Sequence, residues 1–127
     1  MSYSCGTDLV SIKRIRSALS AKTSQKFMER VFTSKEAELC DKKGACKEKS
    51  LAARFAAKEA FAKALGSGFN SSVHMNEIEI LNDCNGKPFV NALGQTKETF
   101  LSLGFVKAEV SLSHEEDFAI AMVILEK

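Results

Sequence analysis

Residues 51–68 read LAARFAAKEAFAKALGSG, the strongest helix signal in the chain. Alanine, the best helix former, dominates the run. Ser50 opens it, and Gly66 or Gly68 ends it, because a helix C-terminus readily takes glycine. At roughly 100° per residue, Glu59 falls between Phe55 and the Ala52/Ala56 stripe, with Ala62 nearby. Arg54 and Lys58 lie well away from it, and Lys63 at i+4 is its polar neighbour on the same face. A carboxylate among apolar groups is costly unless something compensates it. A Glu59–Lys63 helix pair, worth only tenths of a kcal/mol, is one compensation. A bound cation is another.

Working outward, residues 3–10 (YSCGTDLV) read as a short strand that contains Gly6 and is interrupted by Asp8. Residues 11–31 are helical, with a break near 20–24. Ile12, Ile15, Leu19, Phe27 and Val31 recur at helical spacing, and Lys13, Arg14, Arg16, Lys22, Lys26 and Arg30 fill the rest. Ser34 N-caps a further helix, SKEAELC, whose first turn carries Glu36 and Glu38. Residues 41–49 form a polar connection into the long helix.

Downstream, HMNEIEILND (74–83) alternates as a strand, Asn85–Gly86 signals a turn, and Pro88 restricts the residues after it. Residues 94–103 read as a helix, and KAEVSLS (107–113) and DFAIAMVILE (117–126) as strands. The last strand is apolar on both faces: Phe118, Ile120, Met122 and Ile124 on one, Ala119, Ala121, Val123 and Leu125 on the other. A half-exposed strand would alternate, so this one is central or covered by another subunit. The elements define an α+β fold, one small domain over residues 1–127 in which an antiparallel sheet packs on a long central helix.

Composition narrows the function. A formal net charge of +2 does not make a strongly electrostatic nucleic-acid binder the default. No apolar run approaches the length of a membrane span. Cys5, Cys40, Cys46 and Cys84 form no CxxC pair, and two histidines complete no usual zinc spacing. They read as free thiols in a reducing compartment, packed as small buried apolar residues. Residues 1–10 lack the apolar core of a signal peptide. A cytoplasmic protein is the expectation.

Asp8 interrupts a strand that otherwise reads as buried; a turn or cap aspartate is the plain account. If Asp8 and Glu59 converge, they make a hard, half-open oxygen site. That suits Mg²⁺, which binds a few carboxylates and takes its other ligands from water and phosphate. Arg54, Lys58, Lys63, Lys87 and His114 are candidates for holding a phosphorylated ligand. Gly86–Lys87–Pro88 is a rigid turn that presents an ammonium, and Ser111 and Ser113 share a strand face leading into His114. There is no Walker loop, no GxGxxG and no nucleophile elbow.

Four segments, GTDLVSIKRI (6–15), LAARFAAKEAFAKALGSG (51–68), EIEILNDCNGKPFV (77–90) and VSLSHEEDFAIAMVILE (110–126), in this order and spacing resemble the holo-[acyl-carrier-protein] synthases, short 4′-phosphopantetheinyl transferases. The resemblance is loosest over 33–50 and 91–107, and Thr7 stands where an aliphatic residue is usual. It implies the 4′-phosphopantetheinyl transferase fold and a transfer of phosphopantetheine from coenzyme A to a serine of apo acyl-carrier protein, releasing 3′,5′-ADP and supporting fatty acid biosynthesis. It further implies Asp8 and Glu59 as Mg²⁺ ligands, with Glu59 and Lys63 catalytic. Arg54, Lys58, Lys63, Gly86, Lys87, Pro88, Ser113 and His114 would meet the cofactor. The proton acceptor is either Glu59 or a metal-bound water. Lys13, Arg14, Arg16 and Lys22 would dock the acidic carrier protein. The family's usual homotrimer, with sites at subunit interfaces, would account for the two-sided last strand. A nucleotide-binding module without chemistry and a purely structural oligomer are the other classes compatible with these charges.

Overall fold

The computed structural model describes residues 2–127. Helix α4 (Lys47–Leu65) sits at its centre. It begins one turn before Ser50, because a short 3₁₀ turn at Gly44–Cys46 leads directly into it. It ends where Gly66 takes a left-handed conformation, φ 87°, that side-chain-bearing residues avoid. From Ser50 to Leu65 only Glu59 and Lys63 escape full burial. The helix is therefore a core element with a single polar opening, one turn long.

Against α4 packs an antiparallel sheet of β1 (Tyr3–Ser11), β5 (Phe118–Glu126) and β4 (Lys107–His114), in the order β1-β5-β4. Alanines on the helix let the backbone of β1 come close. A Cβ added to Gly6 would lie 2.1 Å from the Ala60 carbonyl oxygen and 2.8 Å from the Ala64 nitrogen. Ser4 Oγ donates to the Ala64 carbonyl at 2.5 Å. Strand β5 is central in the strand order, one of the two placements its two-sided apolar pattern allows, but only one of its apolar faces is covered. Ala119, Ala121, Val123 and Leu125 face the core at 0–1 % exposure, whereas Phe118, Ile120, Met122 and Ile124 on the other face are 37–48 % exposed.

The remaining elements surround this unit. Helices α1 (Ile12–Ser20) and α2 (Ser24–Val31) meet at the expected break. Helix α3 (Ser34–Asp41) is capped by Thr33, not Ser34: Thr33 accepts from the Glu36 amide and Glu36 accepts from the Thr33 amide, a capping box. Strands β2 (Ile78–Asn82) and β3 (Pro88–Ala92) form a separate two-stranded sheet, and α5 (Gly94–Ser102) comes next. Residues 75–77 are a 3₁₀ turn, so β2 is shorter than the alternation in 74–83 suggests. Of the cysteines only Cys40 is buried; Cys5, Cys46 and Cys84 are exposed, and all four are free thiols. Among the described residues no helix is long and apolar enough to cross a membrane.

A two-stranded sheet leaves one edge of β2 unpaired, and buried backbone groups need partners. Charged side chains supply them. Ile80 N donates to Glu36 Oε2 at 3.0 Å, Ile80 O accepts from Arg54 Nε at 3.0 Å, and Ile78 O accepts from Lys58. Lys58 and Glu36 are themselves an ion pair at 2.7 Å with both side chains fully buried. Burial pushes the Lys58 ammonium below its ordinary pKa, opposed by the Glu36 charge. Lys58 is therefore a fold residue, and the expectation that it meets the cofactor is corrected. Lys58→Met strands the Glu36 carboxylate, and we expect a loss of about 3–5 kcal/mol. A lower urea midpoint with an unchanged m-value would show it.

Candidate active site

The polar opening of α4 faces β1. Lys63 Nζ donates to Asp8 Oδ1 at 3.0 Å and to the Thr7 carbonyl at 3.0 Å. Asp8 is mostly covered, its side chain 17 % exposed, while that of Lys63 is 55 % exposed. Glu59 completes the group. Burial and then the Asp8 charge raise its carboxyl pKa above the ordinary value, with Lys63 and Arg14 pulling the other way. The guanidinium of Arg14 stacks over Phe55 at 5.7 Å, one turn before Glu59 on α4. Two carboxylates and one ammonium thus converge from elements more than fifty residues apart in sequence.

The second cluster lies beside the other part of α4. Arg54, Gly86, Pro88 and His114 line one cleft of about 350 Å³, together with Lys43, Cys46 and Asn82. The turn enters it through Gly86, whose φ of 82° suits glycine. Asp83 braces that turn: its Oδ1 accepts from the Asn85 and Lys87 amides at 2.8 and 3.0 Å. Lys87 itself points elsewhere, to a neighbouring groove, where it lies 3.9 Å from Glu109. His114 also borders a depression on the outer sheet face with Ser113, Leu9, Phe118 and Ile120. The acidic pair lines neither of the two cavities that contain His114.

Lys43 and Asn82 also join the cleft; neither is among the residues expected there from sequence, although Asn82 lies within the 77–90 segment that carries the resemblance. Lys43 sits in a lysine-rich connection that reads as solvated, and nothing in its local pattern sets it apart. Of the basic face, Lys13, Arg14, Arg16 and Lys22 are all exposed. Arg16 is partly engaged, by an ion pair with Glu48 at 3.1 Å. Among the described residues no three His, Cys, Asp or Glu side chains gather in a metal-binding group. A two-carboxylate donor set with a neighbouring lysine does not suit zinc, which wants nitrogen and sulfur. It fits a hard divalent cation that keeps oxygen ligands from water or phosphate.

Comparison with known proteins decides the family. Residues 4–123 match the model of the 4′-phosphopantetheinyl transferase superfamily. The holo-[acyl-carrier-protein] synthase of Ruminiclostridium cellulolyticum is 45% identical over 120 residues, covering 94% of this chain and 89% of its own. The chain belongs to the holo-[acyl-carrier-protein] synthase family of transferases. The synthase of Geotalea daltonii is 42% identical over the whole of both chains. The crystal structure of the Neisseria meningitidis synthase superposes with a TM-score of 0.89 at 38% identity, covering 98% of each chain. That of the Helicobacter pylori synthase in complex with coenzyme A superposes at 0.84 and 32% identity, covering 96% of this chain and 99% of its own. The family's members therefore share this arrangement of helix and sheets.

Crowding of Asp8 and Glu59 has a consequence for stability. Because the folded-state pKa of Glu59 is raised, the native state holds the extra proton in the window just above the ordinary carboxylate pKa. Stability is lost as pH rises through that window. In chelator-treated protein Glu59→Gln should melt at a higher temperature than wild type near neutral pH. The difference should vanish towards about pH 3, where Glu59 is protonated in both states. Scanning calorimetry against pH measures it.

Proposed function

We propose that this chain transfers the 4′-phosphopantetheine arm of coenzyme A to a serine hydroxyl of an apo acyl-carrier protein, releasing 3′,5′-ADP. The observation that carries the reading is the meeting of Asp8, Glu59 and Lys63 at the one opening in the buried helix. The bound coenzyme A named for the Helicobacter pylori relative supports the choice of donor.

The attacked atom is the β-phosphorus of a pyrophosphate, so charge gathers on its non-bridging oxygens and on the leaving group. Asp8 and Glu59 would hold Mg²⁺, which when bound draws that charge and aligns the phosphates. Lys63 is held beside them by Asp8 and the Thr7 carbonyl, where it adds a fixed positive charge. Glu59, whose carboxyl pKa is raised by burial and the Asp8 charge, is one acceptor for the serine proton, and a water at the opening is the other. Arg54 and His114, with Gly86 and Pro88 shaping the walls, take the nucleotide end of the cofactor in their cleft, and Lys43 adds a further cation there.

One chain supplies the acidic opening and the Arg54–His114 cleft at different places. A homotrimer would unite them. The outer face of the sheet, with Phe118, Ile120, Met122 and Ile124 exposed, is apolar enough to be covered by a neighbouring subunit. Such packing would set the acidic opening of one subunit against the His114 cleft of the next. The enzyme would act in the cytoplasm, in fatty acid biosynthesis, as one domain over the whole chain.

Mass spectrometry of an apo carrier protein incubated with the chain, coenzyme A and Mg²⁺ tests the reading: a phosphopantetheine mass gain is expected, and its absence refutes it. Asp8→Asn and His114→Ala should each lower activity ~100-fold or more. If subunits share sites, mixing the two variants under exchange should restore part of the activity, because some interfaces then combine two intact halves. No recovery would place the whole site in one chain.

The exposed basic residues give a second test. Arg14→Glu with Lys22→Glu should raise KM for carrier protein, most at low salt, and leave KM for coenzyme A unchanged. An unchanged carrier KM at low salt would remove helix α1 from the docking surface.

A further inference from the structure

We propose that Asn82 is the positioning residue that locks the turn at Gly86 to helix α4 and so sets the shape of the cofactor cleft. The assignment rests on the coenzyme A reading above and adds a residue to it.

Arg54 is almost fully buried, at 3 % exposure, and most of its hydrogen-bonding capacity is already used. A guanidinium has five N–H donors. Nε donates to the Ile80 carbonyl at 3.0 Å. Nη1 donates to Ser50 Oγ at 2.7 Å and to the Ser50 carbonyl at 3.4 Å. Nη2 donates to Asn82 Oδ1 at 2.6 Å. One Nη2 N–H is left for a ligand. What Arg54 offers a phosphate is therefore a positive charge and one donor, aimed by its other partners.

Asn82 is the partner that joins this cation to the turn. Its Oδ1 accepts from Arg54, and its Nδ2 donates to the Gly86 carbonyl at 2.9 Å. The two neighbours need opposite things, an acceptor for the guanidinium and a donor for the carbonyl. A side-chain amide supplies both, and this orientation of the amide is the one that satisfies both.

The turn keeps its own shape without Asn82. The Asp83 amide donates to the Lys87 carbonyl at 2.9 Å, Gly86 N donates to the Asp83 carbonyl at 3.0 Å, and Asp83 Oδ1 accepts two further amides. Asn82 instead fixes where that preformed turn sits relative to Arg54. Gly86, Pro88, Asn82 and Arg54 all line the same cleft. Loss of Asn82 should therefore free the turn as a unit and misplace one wall of the cleft, at a distance from the Asp8–Glu59–Lys63 chemistry.

Steady-state kinetics of Asn82→Ala and Asn82→Asp test this. Aspartate keeps the acceptor for Arg54, loses the donor to Gly86 and adds a negative charge to the cleft. We expect KM for coenzyme A to rise about tenfold in Asn82→Ala and further in Asn82→Asp. The kcat and the carrier-protein KM should stay within about twofold, since the interaction lost is made equally in ground and transition states. A merely structural role would lower the active fraction, and hence kcat, with both KM values unchanged; that result, or an unchanged coenzyme A KM, overturns the assignment. Wild-type protein that neither turns over nor binds coenzyme A removes the underlying reading as well. Wild-type activity with an unaltered Asn82→Ala KM removes only the role of Asn82.

Discussion

Helix α4 can lie at the centre of so small a molecule only because its side chains are small where other elements cross it. Ala60 and Ala64 leave the helix backbone within reach of β1, and Gly6 completes the contact by having no Cβ to intrude. Close packing of this kind leaves little tolerance for added volume. It also fixes the distance between Asp8, two residues along β1, and the Glu59/Lys63 face of α4. The chemistry proposed for this chain depends on that spacing. Two carboxylates whose charges crowd each other, with a lysine alongside, form a site whose electrostatic strain a bound cation would relieve.

The buried ion pair serves a different need. Strand β2 has a partner on one side only, and its other edge faces the helix. Arg54 and Lys58, one turn apart on α4, meet alternate carbonyls of that edge, and Glu36 meets the amide between them. Three charges thereby substitute for a missing strand. Charges so deeply buried contribute little net stability compared with an apolar core, but removing one of them leaves the others uncompensated. The arrangement specifies where the small sheet docks, and with it the turn between β2 and β3.

Much of this architecture is legible in the residues themselves. Propensity and glycine stops locate α4, the two-sided apolar pattern offers a central place for β5 as one of two readings, and Asn85–Gly86 marks the turn. Sequence and structure part where local pattern and tertiary contact disagree. Lys58 reads as a ligand-binding cation because a helical wheel cannot show that Glu36, twenty-two residues earlier, arrives beside it. Arg54 reads as a free cation for the same reason: its engagement with Ser50, Ile80 and Asn82 is mostly tertiary. The Thr33 cap is different, since Thr33-x-x-Glu36 is a local signature that stands one residue before Ser34 and outcompetes it. The convergence of Asp8 with Glu59 is suggested by the oddity of two acids in apolar surroundings and, more specifically, by the family resemblance, which implies both as ligands of one ion.

Strand β5 carries one more implication, for how the chain finds its correct pairing. In most half-buried strands a slip of one residue is rejected because it drives polar groups inward. Here a slip against β1 and β4 would bury apolar residues just the same. The penalty is instead one of size: Phe118, Ile120 and Met122 would turn towards a helix surface that now accepts Ala119, Ala121 and Val123. Register in this sheet is proofread by volume, with the smallness of α4 as the gauge.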